Sequence, residues 1–229
     1  MNSPLTSHMP HQLLPPSFLF RLAVPCRQAA KLWTPKGVTL EDEYLLPNFA
    51  ELDDAPQRVQ VRAAWSEQGL AFSVAVQGKK QPPWCRESRI DDSDGVYLWI
   101  DTRDTHNIHR ASRFCHQFVF LPTGGGYQQA QPIAELIAIN RSRENPKPLV
   151  RDSLGAVCHK LNDGYRLDIA IPAAALTGFD PAEHPKLGFH WAVIDREIGE
   201  HTFCCPPTLP YKEDPSTWGT LELVTNQCD

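Results

Sequence analysis

Five aspartates, Asp91, Asp92, Asp94, Asp101 and Asp104, crowd around one short apolar run, and that density of carboxylates is the first chemistry the sequence offers. Hard cations such as calcium collect about six to eight oxygen ligands, largely from carboxylates and carbonyls. Asp92, Asp94, Asp101 and Asp104 are therefore candidate ligands of a structural calcium ion, the only cofactor these residues raise. The spacing is not that of an EF-hand, because counting back from Gly95 puts Ile90 where the first ligand would stand. A solvated acidic loop is the competing reading. Nearby, His106, His109, Cys115 and His116 carry transition-metal ligand atoms, but no HExxH or paired CxxC pattern frames them. His106 and His109 would share a face only on a helix.

Catalytic constellations are scarce. Cys115 and His116 are a nucleophile and a base in type, yet neighbours on a strand point to opposite faces and cannot share a hydrogen bond. Gly124, Gly125 and Gly126 are followed by Tyr127 rather than the lysine of a phosphate loop, and no GxSxG elbow occurs. A pair of carboxylates suited to glycoside hydrolysis is left open, because their separation in space decides that chemistry. A binding protein rather than an enzyme is the expectation.

The elements that would position these residues read as strands. At residues 59–76, Val59, Val61, Ala63 and Trp65 alternate with polar or small residues; Glu67, Gln68 and Gly69 turn the chain, and Leu70, Phe72, Val74 and Val76 resume the alternation. Residues 95–101 send Val96, Leu98 and Ile100 one way and Tyr97 and Trp99 the other, which predicts a strand covered on both faces. A strand is predicted over 113–121, with Phe114, His116, Phe118 and Phe120 on one side, and an irregular stretch over 128–151. Asn162, Asp163 and Gly164 join two alternating runs at 155–161 and 165–171 in a tight hairpin. Pro172 opens a short helical turn through Leu176; 186–197 and 218–224 supply further strands.

Length, charge and cysteines set the frame. A chain of 229 residues suffices for one large β domain without disulfide or metal staples, and 21 prolines favour a loop-rich β protein over a helical bundle. The expected fold is all-β, a two-sheet antiparallel β-sandwich with one short helical turn, spanning 17–229 behind a polar, proline-rich tail at 1–16. The net charge of −5 and the absence of a basic run argue against nucleic acid and anionic membranes as partners. Seven cysteines without CxxC spacing read as free thiols. The N-terminal stretch has no basic segment followed by an unbroken apolar one, so a cytoplasmic chain is expected.

Four stretches together resemble a known family. DDSDGVYLWIDTRD at 91–104, GYRLDIAIP at 164–172 followed by Leu176, GFHWAVID at 188–195 and STWGTLEL at 216–223 resemble, in order, strands of the family 9 carbohydrate-binding modules and the related DOMON-like domains. The resemblance covers roughly residues 55–224. It implies a β-sandwich that binds a saccharide between two tryptophans, with Trp84 and Trp218 at similar positions and no reaction performed. Indole faces suit the C–H face of a sugar ring. Arg86, Arg113 and Gln117 have the reach and chemistry to bond its hydroxyls. A sandwich that keeps the fold for a structural or protein-interaction role is the alternative. Some DOMON-like relatives hold haem; Met1 and Met9 are the only methionines here, which leaves His116 or His190 as haem ligands on that reading.

Overall fold

A computed structural model describes residues 21–49, 56–150 and 152–225. The predicted tail at 1–16 lies outside these residues. The chain forms β1 (Ala23–Gln28), β2 (Val59–Ser66), β3 (Gly69–Val76), β4 (Gly95–Asp101), β5 (Cys115–Gly125), β6 (Gln131–Ile137), β7 (Gly155–Leu161), β8 (Gly164–Pro172), β9 (Lys186–Asp195), β10 (Gly199–Thr202) and β11 (Gly219–Val224). The protein is all-β. Helical structure among the described residues is confined to short 3-10 turns, of which Ala173–Ala175 is the one expected from Pro172.

The strands do not make two separate sheets. They hydrogen-bond in one continuous order, β6-β5-β4-β9-β11-β1-β2-β3-β8-β7, with β10 added to β9. The expected two-sheet sandwich is corrected by β1, which pairs in parallel with β11 on one side and with β2 on the other. The sheet folds over so that its inner face closes on itself like a flattened barrel. Val96, Leu98, Ile100, Phe118, Phe120 and Phe189 from one half meet Val61, Phe72, Val74, Leu167 and Ile169 from the other in a single cluster. Phe72 and Phe189 stack across it at 5.7 Å.

The period-two pattern decides which residues enter this core. On β4, Val96, Leu98 and Ile100 point inward, while Tyr97 and Trp99 point outward into a second apolar cluster under Ala111, Cys205, Tyr211 and Trp218. On the far half, a smaller cluster of Ala29, Leu32 and Val38 covers Ala64 and Ala71. Both sheet halves are thus covered outside as well as inside.

The two histidines considered for haem face opposite ways. His116 pairs with the inward Ile100 and stacks on Phe118, whereas His190 pairs with the outward Trp99 and packs against Tyr211. They cannot share one iron. The backbone N–H of Thr177 donates to His116 Nε2 at 2.9 Å, which fixes the ring proton on Nδ1, facing the Ile100 carbonyl at 3.3 Å. Burial lowers the His116 pKa to about 4 and that of His190 to about 3.

An unfolded histidine takes up its proton near pH 6.5, and the folded His116 resists until about pH 4. The unfolded state therefore binds more protons across that window, so the stabilisation is complete above pH 6.5 and is lost as pH falls toward 4, by about 3 kcal/mol. Urea unfolding followed across that window should show this loss, and His116→Gln, whose amide oxygen can accept the Thr177 N–H, should reduce it. An unchanged pH slope in the variant would contradict the assignment.

Candidate functional site

Trp84 sits in the loop at 77–94, and that loop is held by Asp94, Asp195 and Glu197. Lys79 is drawn into the protein to meet Asp195 at 2.5 Å, with both side chains almost fully buried. Glu197 accepts the backbone N–H groups of Lys80 and Gln81 at 2.8 and 3.0 Å, and these bonds lower its pKa. Asp94 accepts the N–H of Trp84 at 2.8 Å and of Arg196 at 3.0 Å. The turn after β9 and the proline-rich loop are thereby docked as one unit.

That docking sets what Trp84 can touch. The Arg196 guanidinium lies 3.5 Å from the centre of the indole, and those of Arg86 and Arg89 lie at 5.8 and 5.7 Å. Arg196 thus occupies a face of Trp84 as a cation–π partner. Arg86 bonds Gln129 at 2.5 Å. Trp218 is only 3% exposed, and its Nε1 donates to the Tyr211 carbonyl at 2.7 Å. It is a packing residue of the second apolar cluster with no open face, so this pair does not form a two-indole clasp. Gln117 is buried opposite Trp99, and Arg113 is exposed with its guanidinium over Phe114. The five residues do not converge on one site.

The aspartates separate as well. Asp94, just before β4, and Asp101, its last residue, stand about 23 Å apart at strand rise. Asp101 accepts the N–H groups of Arg103 and Thr105 at 3.0 and 2.7 Å; Asp104 meets Thr220 and His106; Asp92 pairs with Arg89. These carboxylates are spent on turn amides and local pairs, and the four do not fit a single calcium ion. No group of three or more metal-ligating side chains comes together among the described residues.

One polar cluster has the residue types of a catalytic triad without its order. Asp168, fully buried, accepts from Ser73 at 2.8 Å and contacts His159 Nε2 at 2.9 Å and Arg166 Nε at 3.1 Å. The carboxylate lies between serine and histidine, so His159 cannot take the Ser73 proton, as a triad requires. Gly37 closes the cluster: a Cβ there would stand 2.4 Å from the Asp168 carboxylate. The role is structural.

Two of the cavities lie at the two ends of the β7–β8 hairpin. A groove of 720 Å³ is lined by Lys31, Trp33, Gln68, Asp152, Ser153 and the C-terminal end of β8. Trp33 is half-buried and its indole passes over Gly155, where a Cβ would come within 2.8 Å of the ring. A cleft of 500 Å³ lies at the opposite end of the β7–β8 hairpin, lined by Lys79, Lys80, Pro82, Pro122, Lys160 and Tyr165 among others. The sequence reading missed both. Trp33 belongs to no alternating run; its one local signal is a tryptophan abutting the turn residues Thr34, Pro35, Lys36 and Gly37.

The Lys79–Asp195 pair yields a stability test. Removing one partner of a buried ion pair costs about 3–5 kcal/mol, because the other charge stays buried. Lys79→Met should lower the unfolding free energy measured in urea by that amount and raise the proteolytic sensitivity of the loop at 77–94. Wild-type stability in the variant would show that the loop is held by its other bonds.

No family model and no curated protein sequence matches the chain. Solved structures do. A carbohydrate binding module of family 9 from Caldicellulosiruptor kristjanssonii, in complex with glucose, superposes with TM-score 0.59 at 13% identity over 91% of this chain and 98% of that one. In complex with cellotriose, the figures are 0.57, 13%, 90% and 95%. A Bacteroides uniformis protein provisionally described as carbohydrate-binding gives TM-score 0.51 at 11% identity, over 88% of this chain and 99% of that one. Identities this low speak to architecture alone. The four motifs in family order and these superpositions agree on the architecture: this chain has a fold like that of the family 9 carbohydrate-binding modules.

Proposed function

We propose that the protein binds a saccharide without acting on it chemically, and that the groove beside Trp33 is where it does so. The observation that carries this reading is the combination in one open groove of a half-buried indole with Lys31, Gln68, Asp152 and Ser153. Sugar recognition needs an aromatic surface for C–H groups and side chains that bond hydroxyls. The Ser153 hydroxyl has no hydrogen-bond partner among the described residues, so a ligand hydroxyl would satisfy it. At 720 Å³ the groove falls within the range of about 300–1,000 Å³ usual for small-molecule sites. The fold supports the reading, since its neighbours include modules crystallised with glucose and cellotriose.

A second reading, a domain that keeps this fold for protein interaction, is favoured by the state of the other half. There the outward face of β4, β5 and β9 is filled by Tyr97, Trp99, Val119, Leu121 and Ala192 beneath Tyr211 and Trp218, all buried.

Tryptophan fluorescence and calorimetry against glucose, cellobiose and cellotriose discriminate the two. On the saccharide reading at least one of them titrates, Trp33→Ala weakens binding by roughly tenfold or more, about 1.4 kcal/mol, and Trp84→Ala leaves it unchanged. A panel silent in the wild-type protein removes the saccharide reading and leaves the interaction domain.

A further inference from the structure

We propose that the cleft between the loop at 77–83 and the β7–β8 turn is a second ligand site, one that takes a small organic molecule bearing an oxyanion. It is independent of the Trp33 groove and does not rest on the saccharide reading. The observations come from three separate segments of the chain. Lys79, Lys80 and Lys160 all line the cleft, and its lining includes no aspartate or glutamate. Lys79 is engaged by Asp195 and Glu197, whereas the exposed Lys80 and Lys160 carry positive charge at the rim with no ion pair among the described residues.

At the inner end is Tyr165, 3% exposed, whose hydroxyl has no partner among the described residues. A buried hydroxyl without a partner is rare and costly, because it has given up water and gained nothing. Burial also raises the Tyr165 pKa far above the ordinary phenol value, so the group remains an O–H donor at any physiological pH. A donor at the inner end and two ammonium groups at the rim define what fits between them. The ligand must present acceptor oxygens inward and carry negative charge that the lysines can neutralise. The walls are Pro82, Pro83, Pro122 and Leu161, stiff and apolar, so the cleft needs little ordering on binding.

Cys158 makes the site observable. It lines the cleft and is half-exposed, whereas the other described cysteines are buried. Burial raises its thiol pKa to about 11, so its alkylation is slow but measurable under alkaline conditions.

The test uses the full chain with inorganic phosphate and D-glucuronate as the oxyanion probes, glucose as the uncharged comparison and chloride at matched ionic strength. On this proposal at least one of the two oxyanions slows iodoacetamide labelling of Cys158 by fivefold or more, read by peptide mass spectrometry, whereas glucose and chloride do not. Protection by glucuronate alone specifies a carboxylate on a sugar frame; protection by phosphate specifies the oxyanion itself. Tyr165→Phe, which removes a hydroxyl that bonds nothing among the described residues, should keep the melting temperature and weaken the anion tenfold or more by calorimetry. Lys160→Gln, on the surface, should weaken it as well. Trp33→Ala should leave it untouched, which separates this outcome from failure of the saccharide reading. No protection by either oxyanion, or protection unaltered in both Tyr165→Phe and Lys160→Gln, overturns the proposal.

Discussion

The six residues of β1 are hydrogen-bonded to both halves of the sheet: Ala23–Arg27 lie parallel to β11, and Arg27 and Gln28 lie parallel to β2. Among the described residues this is the only ladder joining one half to the other. Its register is set by burial. Val24 and Cys26 point inward at 2% and 0% exposure, and a slip of one residue would turn Pro25 and Arg27 into the core instead. With β1 in register, the halves face each other closely enough for Phe72 to stack on Phe189, and the inner cluster becomes one core. The free edges β6 and β7 end up as neighbours without pairing, so the sheet approaches a barrel without closing.

That arrangement gives the two halves different outer coverings, and the difference decides where ligands have room. Around β4, β5 and β9, large residues on the outer face are buried beneath the segment from Phe203 to Trp218. Around β3, β7 and β8, small residues such as Ala71, Gly155 and Ala170 leave space above the sheet, into which Trp33 is laid. Bulk on one face and small side chains on the other, rather than the strand order itself, place the groove beside Trp33 on the second half.

Much of this was legible. Wherever apolar residues alternate over seven or more positions, as in β2, β3, β4 and β9, period two identifies both the strand and its inward side chains. β6 has no such signal, because it is an edge strand with only Ile133 buried and a proline at its second position. β10 is four residues long and nowhere fully buried. The link through β1 was hidden for another reason: parallel pairing joins residues distant in sequence and leaves no turn motif to read. Site residues were less legible than strands. A tryptophan beside a strand can stack on a ligand or cap a core, and only the surrounding chain decides. Tyr211, with its carbonyl 2.7 Å from the indole nitrogen, decides it for Trp218, and Arg196 decides it for one face of Trp84.

The two proposed sites share one hairpin and differ in electrostatics. The groove touches the start of β7 and the end of β8, through Gly155 and Pro172, while the cleft touches the end of β7 and the start of β8, through Leu161 and Tyr165. Eight residue steps separate Leu154 from Asn162, so at strand rise the sites lie about 25 Å apart. The groove lining carries one lysine and one aspartate, a balance suited to neutral hydroxyls; the cleft lining carries three lysines and no acid. Between them stands Asp168, which binds Ser73 on β3, His159 on β7 and Arg166 on its own strand, cross-linking the hairpin to its neighbour. A hairpin pinned at its middle by a buried carboxylate transmits little bending from one end to the other. Ligands at its two ends should therefore bind with additive free energies, which makes the two sites separable in mutation as well as in space.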